Sequence, residues 1–134
     1  MFLLNKLIII KQINYLRCDI SLEDILKAQE HDKDIKLIKS DLRKFRGKNS
    51  NNKYYVDSKT QLLMYLHVCN VNKEKKLTKL IVVPKVLQKD VLKLMHVSHF
   101  GVDKTYLLLR ERYFWPGSYS DTQNFVASCD QCCS

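Results

Sequence analysis

Long apolar runs are missing from this chain of 134 residues. The apolar stretch Met1–Ile10, MFLLNKLIII, is interrupted by Lys6 and is half the length of a membrane span, which needs about 20 residues. Basic residues ahead of it and a small-residue cleavage site behind it are both missing, so it does not read as a signal peptide. It reads as an N-terminal extension, residues 1–20, forming a strand or a disordered start. Acidic residues are few: 14 Asp and Glu stand against 23 Lys and Arg, a net charge of +9. An even set of spaced cysteines is also lacking. The chain has five, Cys18, Cys69, Cys129, Cys132 and Cys133, three of them at one end. That pattern argues against a disulfide framework and for a reducing, intracellular compartment, nuclear or cytoplasmic, with metal ligation.

What is present is ordinary globular composition, 46% hydrophobic and 28% charged, so disorder is not the default. The length allows one domain or two small ones with a modest core, which a bound metal would help to staple. The positive charge is uneven. Residues 1–83 hold 17 basic and 9 acidic residues, whereas residues 84–134 hold 6 and 5. A basic balance favours a polyanionic partner such as nucleic acid, and most of that attraction resides before residue 84.

The first half carries local helix and strand signals. Ser21-Leu-Glu-Asp24 fits a helix N-cap with a capping box. Ile25, Leu26 and Ala28 follow it, and Ile35, Ile38, Leu42 and Phe45 then recur at helical spacing until Gly47. The opposite face carries Lys36, Lys39, Arg43 and Lys44. Beyond the polar segment 48–53, Tyr54–Val56, Leu62–Val68 and Leu77–Val83 read as strands of a small antiparallel sheet. The turn at Asp57-Ser58-Lys59 and a polar loop, Asn70–Lys76, separate them. His67 falls within a strand and reads as structural.

The last third organises the chain. Pro84 opens a helix with Leu87, Val91 and Leu94 on one face, and His96 and His99 follow at its end. A second helix is expected over Asp103–Tyr113, with Val102, Tyr106, Leu109 and Tyr113 inward. Trp115-Pro116-Gly117 turns the chain. Ser120-Asp-Thr-Gln123 reads as the cap of a third helix bearing Phe125, Val126 and Cys129, with Cys132 one turn on. Imidazole nitrogen and thiolate sulfur are the donors tetrahedral zinc prefers. The set His96, His99, Cys129 and Cys132 fills all four positions, as in a structural site. A thioredoxin-type reading of the cysteine pair needs a strand before it and a helix after it. A catalytic zinc would need an open position and a nearby base, and no HExxH pattern supplies one. Helices this short are not stable alone, and zinc supplies about 10 kcal/mol or more in small zinc peptides.

This stretch resembles the HHCC zinc-binding domain of integrases from gypsy-type LTR retrotransposons and retroviruses. HFGVDKT (His99–Thr105) is similar to the family's GHxGxxKT segment, RERYFWPG (Arg110–Gly117) to its (R/K)xxFYWPG segment, and NFVASCDQC (Asn124–Cys132) to its VxxCxxC ending. Upstream, Ala28-Gln29-Glu30-His31-Asp32 resembles the AQxxD helical lead-in of gypsy-type members. The chain departs from the pattern in three places. Only Val97 and Ser98 separate the histidines, Ser98 stands where a glycine is usual, and Cys133 follows the cysteine pair.

Together, the local patterns and the resemblance give an α+β chain: N-terminal helices and a small antiparallel sheet over 21–83, then a zinc-bound three-helix HHCC module over 84–134. The resemblance implies one structural Zn²⁺, self-association, and contact with DNA, either retroelement ends or host DNA, without a membrane role. Lys104, Arg110 and Arg112 on the module, and Lys36, Lys39, Arg43 and Lys44 on the lead-in, are the expected phosphate contacts. In the family, strand transfer belongs to a separate Mg²⁺-dependent core that follows the zinc module. No integrase activity is therefore expected of these residues alone, which read as part of a larger enzyme or as a truncated or domesticated copy. A protein-interaction module with no nucleic-acid role is the alternative, and the salt dependence of binding separates the two.

Overall fold

The computed structural model describes residues 20–44, 53–96 and 99–129. The expectations for residues 1–19, Phe45, Gly47, residues 48–52, Cys132 and Cys133 lie outside these residues. No helix among them is long and apolar enough to cross a membrane.

Helix α1 (Leu22–His31) starts where Ser21 Oγ accepts the Asp24 N–H at 3.0 Å. It stops at Asp32, whose extended backbone cannot continue the helix. Asp32 then begins helix α2 (Lys33–Lys44), its Oδ1 accepting the Ile35 N–H at 3.1 Å. Strands β1 (Tyr54–Val56), β2 (Leu63–Val71) and β3 (Glu74–Val82) follow as an antiparallel meander. A 3₁₀ turn (Lys85–Leu87) leads into α3 (Gln88–Met95), then α4 (Val102–Leu109), strand β4 (Tyr113–Phe114) and α5 (Ser118–Ala127). The fold is thus α+β, with a four-stranded sheet in the order β1-β2-β3-β4.

Three local expectations are corrected. The segment 70–76 is not a loop. β2 and β3 run on until Val71 pairs with Glu74, and the turn is only Asn72-Lys73. Both turn residues have positive φ, 53° and 67°, the signature of the hairpin turn whose twist matches that of its strands. The polar composition of a ribbon exposed on both faces concealed it. Second, the helix from residue 103 does not reach Tyr113. It ends at Leu109, because Tyr113 and Phe114 pair in parallel with Ile81 and Val82 and complete the sheet. The sheet is therefore mixed. Third, α5 begins at Ser118 behind Gly117, whose φ of 83° sets the turn, so Ser120 lies inside the helix and does not cap it.

Two clusters pack on opposite faces of the sheet because side chains alternate along a strand. One joins Ile25 of α1, Leu62, Ile81, Val83, Val91, Leu92, Leu109, Tyr113 and Trp115. The other joins Ile35 of α2 to Leu63 and Val82, with Ile38, Leu42, Tyr54, Tyr65 and Phe114 against it. Phe114 lies flat on Tyr65 in the second cluster, ring centroids 3.7 Å apart, whereas Trp115 enters the first. The first cluster draws on residues from both sides of Val83, so α3, α4 and α5 are held against the sheet by apolar burial as well as by β4.

Candidate metal centre

Chain geometry first brings the two histidines together. α3 ends as the His96 N–H reaches the Leu92 carbonyl, and the His99 N–H then closes a tight turn onto the His96 carbonyl, both at 3.0 Å. His99 takes φ of 53°, a left-handed conformation that histidine adopts more readily than most residues. The rings therefore converge through a turn and not through continued helix, which accommodates a spacing of only two residues. Their centroids are 5.1 Å apart, nearly perpendicular.

The third donor comes from the far end of the module. α5 ends at Ser128, and the Cys129 N–H bonds the Val126 carbonyl at 3.1 Å. This places Cys129 Sγ 3.4 Å from His99 Nδ1. One ligand atom from each of His96, His99 and Cys129 falls within 4.8 Å of the others. Zinc–nitrogen bonds of about 2.0 Å and a zinc–sulfur bond of about 2.3 Å at tetrahedral angles separate the two donors by roughly 3.5 Å. The Cys129–His99 distance fits that edge, and two imidazoles with a thiolate are a zinc-type donor set. Cys132 lies outside the described residues.

The three groups differ in environment. His96 is buried, with Phe125 edge-on to its ring at 5.8 Å, whereas His99 is exposed and Cys129 half-buried. Burial, and secondarily the neighbouring His99, lower the His96 pKa from its ordinary 6.5. Both effects favour the neutral imidazole, the form that ligates a metal. The His96 Nδ1 atom lies 3.1 Å from the hydroxyl of Thr105, a wholly buried residue on α4. Sequence reasoning passed over Thr105, although it sits inside the HFGVDKT segment.

The basic residues do not form one surface patch by sequence proximity alone. Lys36, Arg43 and Lys44 are exposed on α2. Lys39 is half-buried and donates to the Gln61 carbonyl at 3.1 Å, and burial lowers its pKa, so its charge is partly engaged within the fold. Lys104 lies over the Phe100 ring, 5.3 Å from its centroid. Arg110 donates to His67 Nε2 at 3.3 Å and approaches the Tyr106 ring, and Arg112 lies over Tyr113. In all three the charged end group itself sits against an aromatic ring. The hairpin adds four lysines not singled out from sequence, Lys73, Lys75, Lys76 and Lys79, all exposed. Their density between residues 73 and 79 was the available signal.

Comparison with known proteins agrees with this geometry. Residues 83–134 match the family model described as integrase zinc binding domain. The chain is also 31% identical over 98 residues, 73% of its length, to "Uncharacterized protein K02A2.6" of Caenorhabditis elegans. That alignment spans 7% of the relative. No solved structure matches.

Proposed function

Since residues 83–134 match the integrase zinc-binding domain family model, we propose that this chain is a zinc-stabilised DNA-binding and self-association unit of a retroelement integrase. The convergence of His96, His99 and Cys129 is the observation that carries this reading. One zinc ion bound by these three residues and Cys132 would be closed to water and structural. It would tie the end of α3 to the end of α5. When bound, the ion supplies folding free energy and not reaction chemistry. Strand transfer is not assigned to these residues.

DNA contact is proposed through phosphates. Lys36, Arg43 and Lys44 on α2, with Lys39 contributing less, form one set, and Lys104, Arg110 and Arg112 form another. Lysines bind phosphate without reading base sequence. The exposed hairpin lysines extend this charge. Apolar side chains also reach the surface of the module: Leu107 is 54% exposed and Leu108 40%. They support association with a second copy, and they equally serve the alternative reading of a protein-interaction module without nucleic acid.

Zinc content measured together with far-UV circular dichroism, before and after chelation, tests the metal reading. One zinc per chain and a loss of helical signal on chelation are expected. No zinc, with an unchanged spectrum, would refute it. Binding to duplex DNA across salt concentrations then separates the two partner readings, because phosphate contact weakens steeply with salt and apolar association does not.

A further inference from the structure

Thr105 lies wholly buried on the inner face of α4, an unusual place for a hydroxyl unless it has a task. Its Oγ1 donates to the Phe100 carbonyl at 3.1 Å. A hydroxyl has one proton to donate, and this one is committed. Toward His96 Nδ1, 3.1 Å away, Thr105 is therefore an acceptor. Nδ1 must then carry the imidazole proton. In a neutral ring that makes Nε2 the nitrogen with the lone pair.

We infer that Thr105 is a positioning residue that selects Nε2 of His96 as the metal-binding atom. The chain Phe100 carbonyl, Thr105 hydroxyl, His96 Nδ1–H fixes both the tautomer and the ring rotation before metal arrives. Such an outer-shell acceptor also raises the basicity of the ligating nitrogen. The arrangement links the metal site to α4, so the ion, which would tie α3 to α5, is coupled to the middle helix as well. This inference rests on the zinc reading of the site.

The test uses the full chain and zinc itself. Long-range ¹⁵N–¹H correlation spectra of the zinc-loaded protein report which His96 nitrogen is protonated and which is metal-bound. Protonated Nδ1 and metal-bound Nε2 are expected, and the reverse pattern overturns the inference. Thr105→Val keeps the shape and removes the acceptor, whereas Thr105→Ser keeps the acceptor. Zinc affinity by competition with a chelating dye should fall roughly 10- to 100-fold for Thr105→Val and recover to within a few-fold in Thr105→Ser. Affinity of Thr105→Val within twofold of the parent overturns the inference while leaving the zinc site intact. A parent chain that takes up no zinc overturns the zinc reading and this inference with it. Should Thr105→Val not fold, the nitrogen assignment in the parent protein decides.

Discussion

Gln29 is hydrogen-bonded to Leu63 as though it were a residue of a neighbouring strand. Its Oε1 accepts the Leu63 N–H at 2.8 Å, and its Nε2 donates to the Leu63 carbonyl at 3.2 Å and to the Val82 carbonyl at 2.7 Å. The side chain is wholly buried. One glutamine thus satisfies backbone groups of both β2 and β3 where the two strands meet α1. Asp32, three residues on, caps α2 with one oxygen and accepts the Lys85 N–H at 3.0 Å with the other. The two polar positions of the lead-in motif are therefore structural fasteners. Gln29 joins α1 to the sheet, and Asp32 joins the helix pair to the first turn of the zinc-binding segment.

Replacing Gln29 by leucine should destabilise the fold by about 3 kcal/mol, because buried backbone donors and acceptors lose their partner and gain none. Urea denaturation of the zinc-loaded protein measures this. A loss under about 0.5 kcal/mol would show that the strand groups find other partners.

The single tryptophan gives a direct optical report. Trp115 is buried, and its indole N–H donates to Asp121 Oδ2 at 2.8 Å across the Gly117 turn. Asp121→Ala should cost about 1–3 kcal/mol and shift Trp115 fluorescence, while Asp121→Asn, which retains an acceptor, should cost less. Equal costs for the two variants would place the effect outside this bond.

Lysine at position 73 is held at φ of 67°, where a side chain is strained. Lys73→Gly should relieve this and produce an Asn-Gly turn, raising stability by about 0.5–1 kcal/mol. A higher urea midpoint is the expected result, and a lower one would contradict the turn geometry.

Asp57 has its pKa lowered from 3.8, chiefly by the Thr60 hydroxyl, which donates to Oδ2 at 2.7 Å, and by the Thr60 N–H. A depressed carboxylate holds its charge more firmly when folded. Its contribution to stability is complete above pH 3.8 and is lost as pH falls through the lower folded value. Carboxyl carbon shifts followed by NMR should place the Asp57 midpoint below 3.8, and Thr60→Val should move it upward. An unchanged midpoint in the variant would remove the hydroxyl as the cause.

Much of this architecture was legible residue by residue. The Ser21 cap, the helical spacing of Ile35, Ile38 and Leu42, and the turn at Gly117 all rest on relations within a few positions. Cross-strand pairing decided two of the failures, and at Ser120 the Gly117 turn had already started α5, at Ser118. Tyr113 and Phe114 follow a helical pattern in the chain, yet they pair with Ile81 and Val82 more than 30 positions earlier. Asn70–Lys76 carries the polarity of a loop, yet it is ribbon held by cross-strand hydrogen bonds.

The candidate site divides in the same way. His96, His99 and Cys129 could be named from residue type and spacing, because the ligand chemistry of imidazole and thiolate belongs to the side chains themselves. Their approach within 4.8 Å depends on the left-handed turn at His99 and on α5 returning toward α3. The role of Thr105 depends on a hydroxyl proton already committed to Phe100. Sequence determined which groups were available and which local elements they sat on. Only the tertiary structure decided which hydrogen bonds were already spent, since that requires partners that the chain brings together from a distance.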